Sequence, residues 1–160
     1  MHEKFPRQMY LLLLLNANDA SPIKHKLRLQ KLMFLLQKEI IEERGLQPSL
    51  EKYNFDAYNY GPFSDDLIDD IEFLKDLNLI EVSSENNTEV YRITEKGKKF
   101  LRNFLSKIPE SQLKLIKPFI NELEKLKRKW NNVPLNKLLR YVYEKYPEYT
   151  EKSLIKHLLY

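Results

Sequence analysis

Residues 53–101, YNFDAYNYGPFSDDLIDDIEFLKDLNLIEVSSENNTEVYRITEKGKKFL, are punctuated so densely that few folds can hold them. Tyr53, Phe55 and Ala57 alternate with Asn54, Asp56 and Tyr58, the period-two pattern of a half-buried strand. Gly61-Pro62 should stop that strand, because proline has no N–H for a ladder and glycine accepts turn dihedrals. Ser64 is a good helix N-cap, and Asp65 and Asp66 place negative charge at the positive end of the helix dipole. Leu67, Ile68, Ile71, Phe73, Leu74 and Leu77 give that helix its apolar side, and Asn78 is placed to cap its end. Residues 79–84 and 89–93 then read as the arms of a hairpin, with Asn86 and Asn87 accepting left-handed conformations at the tip. Thr94 caps a further helix. Gly97 lies inside it, where glycine costs about 1 kcal/mol against alanine, so another backbone is expected to pass close by.

Helix, LNLIEV, hairpin and YRITEKGKKFL in that order resemble the winged-helix module, the hairpin being the wing. Residues 91–97 also resemble the end of the wing in PadR-like regulators. The resemblance implies a mainly α fold with a small antiparallel β wing. A winged helix-turn-helix domain is expected over residues 1–107, followed over 108–160 by a C-terminal helical extension that packs on it or dimerises.

Upstream, a largely apolar helix is expected over 6–16, and Ser21-Pro22 offers a cap and first turn for a second helix reaching Arg44. Leu29, Leu32, Met33, Leu36 and Ile40 recur there at helical spacing, and Gly45 ends the pattern. LRLQKLMFLL at 27–36, YNYGPFS at 58–64 and LNLIEV at 77–82 resemble, in order and approximate spacing, the YwgA-like and Panacea (SocA-like) phage-associated proteins. The likeness spans roughly residues 24–100. Some of that group are antitoxins that bind a partner toxin, so the resemblance leaves open whether DNA or protein is the ligand.

Beyond residue 107 the pattern is helical. Leu113, Ile116, Ile120, Leu123 and Leu126 line a helix over 109–130 that Pro118 should kink or split. A break at 131–134 precedes an amphipathic helix over 135–146, and a short last helix is expected over 150–159. The apolar run at 11–15 falls far below the roughly 20 residues that span a bilayer, so it reads as a buried first helix of a cytoplasmic protein with no membrane partner.

The net charge of +4 hides an asymmetry. Residues 49–90 hold eleven acidic side chains against two basic ones, whereas residues 95–140 hold thirteen basic against four acidic. Such a split suits different partners for different faces, or one face of a homodimer meeting the other. In a winged-helix DNA reader the helix before the wing enters the major groove. Here that helix, residues 64–77, carries Asp65, Asp66, Asp69, Asp70, Glu72 and Asp76 against Lys75, which repels phosphates. Two readings follow. In the first, a transcriptional regulator holds double-stranded DNA through Lys24, Lys26, Arg28 and Lys31, Arg92, Lys96, Lys98 and Lys99, and Asn86 and Asn87 at the wing tip. In the second, an antitoxin-like adaptor takes a protein partner on Asp65, Asp66, Asp69, Asp70 and Glu72. Catalysis, a metal and a cofactor are not expected. There is no cysteine, His2, His25 and His157 are far apart, and three glycines form no phosphate loop.

Overall fold

The computed structural model describes residues 4–149, so the helix expected over 150–159 lies outside the described residues, as do His2 and His157. The fold is mainly α with a small antiparallel β wing. Its first helix, α1 (Arg7–Ala20), is the hydrophobic centre: of positions 9–17 only Asn16 is exposed. A stripe that is apolar on every side is stable only when surrounded, and α1 is covered by the wing, α4 and α5 described below.

α1 ends abruptly. Ala17 leaves the helical region, and Asn18, Asp19 and Ala20 follow in left-handed conformation at φ 55°, 56° and 56°. The chain emerges extended, so Ser21-Pro22 does not start a helix. Ile23–Lys24 instead forms a short strand, β1, paired with the later strand β5. The helix starts afterwards: α2 (Lys26–Leu35) takes His25 as its N-cap, with the Leu27 amide donating to His25 Nδ1 at 3.1 Å. Burial and the neighbouring Arg28 and Lys26 hold this imidazole below its ordinary pKa, which suits its role as acceptor. α2 continues as a π-helix over Leu36–Glu42, and Gly45, at φ 68°, follows its end as expected.

Tyr53 and Phe55 precede a ribbon of two short strands, β2 (Asp56–Tyr58) and β3 (Gly61–Phe63). Asn59-Tyr60 forms the turn between them, and Gly61-Pro62 begins the second strand instead of ending the sheet, paired with Tyr58 and Ala57. Proline is tolerated because the ribbon has no third strand that needs its N–H. Next come α3 (Asp65–Asp76), β4 (Ile80–Glu85) and β5 (Thr88–Ile93). The three-stranded sheet has the order β1-β5-β4, with Ile23 opposite Tyr91 and Val82 opposite Tyr91 on its other side. Asn86 and Asn87 close the wing at φ 52° and 64°.

α4 (Glu95–Lys107) starts on Thr94, whose Oγ1 accepts from the Gly97 amide at 2.9 Å. α5 (Glu110–Trp130) runs through Pro118 as one helix, so of the expected kink or split the split does not occur. Pro118 and Lys114, whose carbonyl loses its partner amide, both face solvent, so water can replace the missing bond. α6 (Leu135–Lys145) and a 3₁₀ turn at Pro147–Tyr149 complete the described chain.

α5 is fastened to the broken end of α1. Buried Lys127 donates through Nζ to the carbonyls of Leu15, Ala17 and Ser21 at 3.1, 2.8 and 2.8 Å. Asn131 Nδ2 donates to Pro22 O at 3.0 Å, and Arg28 donates to Trp130 O at 2.8 Å. Lys127 and Asn131 thus satisfy carbonyls in and around the left-handed exit of α1, and Arg28 satisfies one at the end of α5.

The expected close approach at Gly97 is present: a Cβ there would lie 2.1 Å from Leu79 O and 2.8 Å from Ile93 Cγ1. Gly97→Ala should therefore lower stability by about 1–3 kcal/mol, an overpacking cost that outweighs alanine's better helix propensity. Urea melts of the two proteins measure it, and an equal or higher midpoint in the variant would contradict this packing.

Candidate protein-recognition face

α3 is set by both of its ends. Ser64 Oγ accepts from the Leu67 amide at 3.3 Å, and beyond the helix Asn78 adopts φ 61° as Leu79 N donates back to Leu74 O at 3.0 Å. Leu67, Ile71 and Leu74, spaced i, i+4 and i+7, are buried. The other three apolar residues are not. Ile68, Phe73 and Leu77, expected on the apolar side, are 40, 55 and 42 % exposed. A signal was present in the spacing, since six apolar positions in eleven residues cannot all share one stripe. Leaving a phenylalanine or leucine side chain in water forgoes roughly 1.5–3 kcal/mol of burial.

The acids divide into two groups. Asp70 is buried and accepts from Arg7 Nε at 2.9 Å and Gln8 Nε2 at 3.1 Å. Asp66 accepts from the Asn54 amide at 3.2 Å and lies 3.6 Å from an Arg7 terminal nitrogen. Asp66 and Asp70 thus anchor the start of α1 and are not free for a partner, which removes two of the five protein-contact candidates. Asp65, Asp69 and Glu72 remain exposed, joined by Asp76. The outer surface of α3 is therefore acidic in the middle, with Phe73 and Leu77 along the side that faces Arg7.

The DNA-contact candidates scatter. Lys24, Lys26 and Lys99 are exposed, as are Asn86 and Asn87 at the wing tip. Arg92 pairs with Glu85 at 3.0 Å, Lys98 pairs with Glu95 at 3.1 Å, and Lys96 donates to Leu77 O at 3.0 Å. Arg28 and Lys31 are not at the surface where a phosphate contact requires them. Arg28 is buried on the carbonyls of Lys24 and Trp130. Lys31 is 1 % exposed and donates to Pro62 O at 3.0 Å.

Lys31 belongs to a polar row on α2 that grips the 53–64 segment by its backbone. Gln30 accepts from Ser64 N at 2.9 Å and donates to Ser64 O at 3.0 Å. Gln37 does the same to Tyr53, at 2.8 and 2.7 Å. Each carboxamide stands in for a neighbouring strand. The LQK and YGPFS motifs are thus two halves of one contact that seats α3.

A mainly α fold with a small β1-β5-β4 sheet, whose β4–β5 hairpin stands as a wing, is compatible with a winged-helix protein. Residues 65–149 match the model of a domain of unknown function, DUF4364, and with more than half of its length matched the chain belongs to that family. No curated protein matches it. No helix among the described residues is long and apolar enough to cross a membrane.

Burial pushes the Lys31 ammonium down from 10.5 to about 7. Between those values the unfolded chain binds the proton and the folded chain does not, so this group makes stability rise with pH from about 7 to 10.5. Lys31→Met should flatten that rise in urea melts taken between about pH 7 and 10. An unchanged slope would mean that water reaches Nζ.

Proposed function

We propose that this is a non-catalytic, cytoplasmic winged-helix protein that recognises another protein through the exposed face of α3. The observation that carries the reading is the juxtaposition of exposed Phe73 and Leu77 with exposed Asp69, Glu72 and Asp76 on the helix that other winged-helix proteins lay in DNA. Large apolar side chains beside one sign of charge fit an apolar protein surface flanked by lysine or arginine. They do not fit a phosphate-lined groove, whose affinity comes from neutralising phosphates. The likeness of the LQK and YGPFS motifs to the YwgA-like and Panacea proteins, some of them antitoxins, supports the same reading by analogy.

Regulation through DNA is the second reading. It is favoured by the winged-helix sheet together with exposed Lys24, Lys26 and Lys99 and the exposed wing-tip Asn86 and Asn87. On this reading the duplex is held by backbone contacts outside α3.

Two titrations separate them. A labelled random-sequence duplex, followed by anisotropy across salt concentrations, should show no binding that weakens steeply with salt. Steep salt dependence, abolished by Lys24→Glu with Lys26→Glu and Lys99→Glu, would give the DNA reading instead. A synthetic amphipathic helix of lysine and leucine should bind at dilute protein concentration. Asp69→Lys with Glu72→Lys should weaken it at least tenfold. Phe73→Ser should weaken it as well, an effect that simple charge attraction would not produce.

A further inference from the structure

A second surface of the chain complements α3. The start of α1, the loop before Leu50, the end of α4 and the start of α5 enclose a groove of about 660 Å³. Its walls include Pro6, Phe104, Ile108 and Leu115, and Lys4 and Lys107 stand at its rim. Both lysines are exposed, and neither has an ion-pair partner among the described residues. The groove is apolar and basic where the α3 face is apolar and acidic.

The two surfaces lie at opposite ends of one helix. At the start of α4, Lys96 touches Leu77 O at the end of α3. At its finish, Lys107 borders the groove. The thirteen residues of α4 put roughly 18 Å between them. Lys96, Phe100, Asn103 and Lys107 recur at helical spacing along one stripe of α4. Midway along it Phe100 is 45 % exposed, an apolar side chain that the described residues leave only partly covered. Arg7 ties the same surface together, since it follows Pro6 of the groove and binds Asp70 of α3.

We propose that the occupant of the groove is a second copy of this chain, related by a two-fold axis that passes near Phe100. The proposal rests on α3 being a protein-recognition helix and names its partner. Antiparallel α4 helices would stack Phe100 on Phe100. Phe73 and Leu77 of each copy would enter the groove of the other, and Glu72 and Asp76 would approach its Lys4 and Lys107. A face that runs from acidic through apolar to basic is self-complementary under a two-fold rotation, as an isologous contact must be. The three exposed apolar residues at its acidic end and centre, Phe73, Leu77 and Phe100, and the open groove at its basic end are then accounted for by one interface.

Charge exchange tests this. The wild-type protein should sediment as a dimer. The Glu72→Lys/Asp76→Lys variant has two basic surfaces, the Lys4→Glu/Lys107→Glu variant has two acidic ones, and each should sediment as a monomer. An equimolar mixture should recover a heterodimer, because both contacts are again of opposite sign. The cysteine-free chain permits a second measurement: Phe100→Cys should form a disulfide dimer on mild oxidation, whereas Asn87→Cys at the wing tip should not. A wild-type monomer at all concentrations overturns the proposal. So does a dimer that survives both reversals, or a mixture that stays monomeric. If the protein is monomeric yet the lysine–leucine helix still binds α3, only the identity of the partner fails. If that helix does not bind and the duplex does, the protein-recognition reading itself fails.

Discussion

The placement of α3 depends on a few hydrogen bonds made by α2 and its π-helical continuation. Gln30 and Gln37 each bond to both backbone groups of a single residue in the 53–64 segment, and Lys31 holds a third carbonyl between them. That segment, an excursion between the second and third helices, carries only a short two-stranded ribbon of its own. A pair of isolated short strands is marginal in water. Buried amides that lacked these partners would cost about 1–3 kcal/mol each. The contact therefore does two things. It makes a buried excursion affordable, and it fixes Ser64, whose backbone is gripped by Gln30 while its hydroxyl caps α3.

The same economy explains which parts of the fold were legible in the sequence. The wing, its two asparagines, the Ser64 and Thr94 caps, the left-handed Asn78 and the crowding at Gly97 are local features, and each residue states its own backbone need. β1 was hidden because a two-residue strand has no periodicity, and Ser21-Pro22 carries a helix-start signal that the strained exit of α1 overrides. The π-helical continuation left no mark in the spacing of Leu36 and Ile40, which suits an α-helix equally well. Lys31 is hard to place from sequence because a helical lysine reads as solvated, whereas its partner, Pro62 O, lies 31 residues away in sequence.

For the candidate site, the acidity of α3 is legible, and so is an excess of apolar residues over one stripe, but not which of them stay exposed. Periodicity shows that a residue is apolar, and it shows which residues share a stripe. It does not show which stripe a neighbour covers. On α3 that choice is made from outside, by Arg7 and Gln8 of α1, which draw Asp66 and Asp70 inward and orient the helix around them. An aspartate thus occupies a buried position while Phe73 remains in water. The burial penalty of one carboxylate is offset by a charge-assisted hydrogen bond from a guanidinium.

Net charge misleads about partners for a related reason. Much of the positive charge in the sequence is consumed within the molecule. Lys127 fills the broken end of α1, Arg28 and Lys31 cap carbonyls in the interior, and Arg92, Lys98 and Lys145 are paired with glutamates. The buried ones, Arg28, Lys31 and Lys127, cannot reach a phosphate without leaving the carbonyls they satisfy. Most of the exposed acids of α3 are under no such constraint. An electrostatic surface is what remains after the fold has used the charges it needs. In this chain that remainder is an acidic helix bearing exposed apolar side chains, at one end of a surface whose other end is basic and concave.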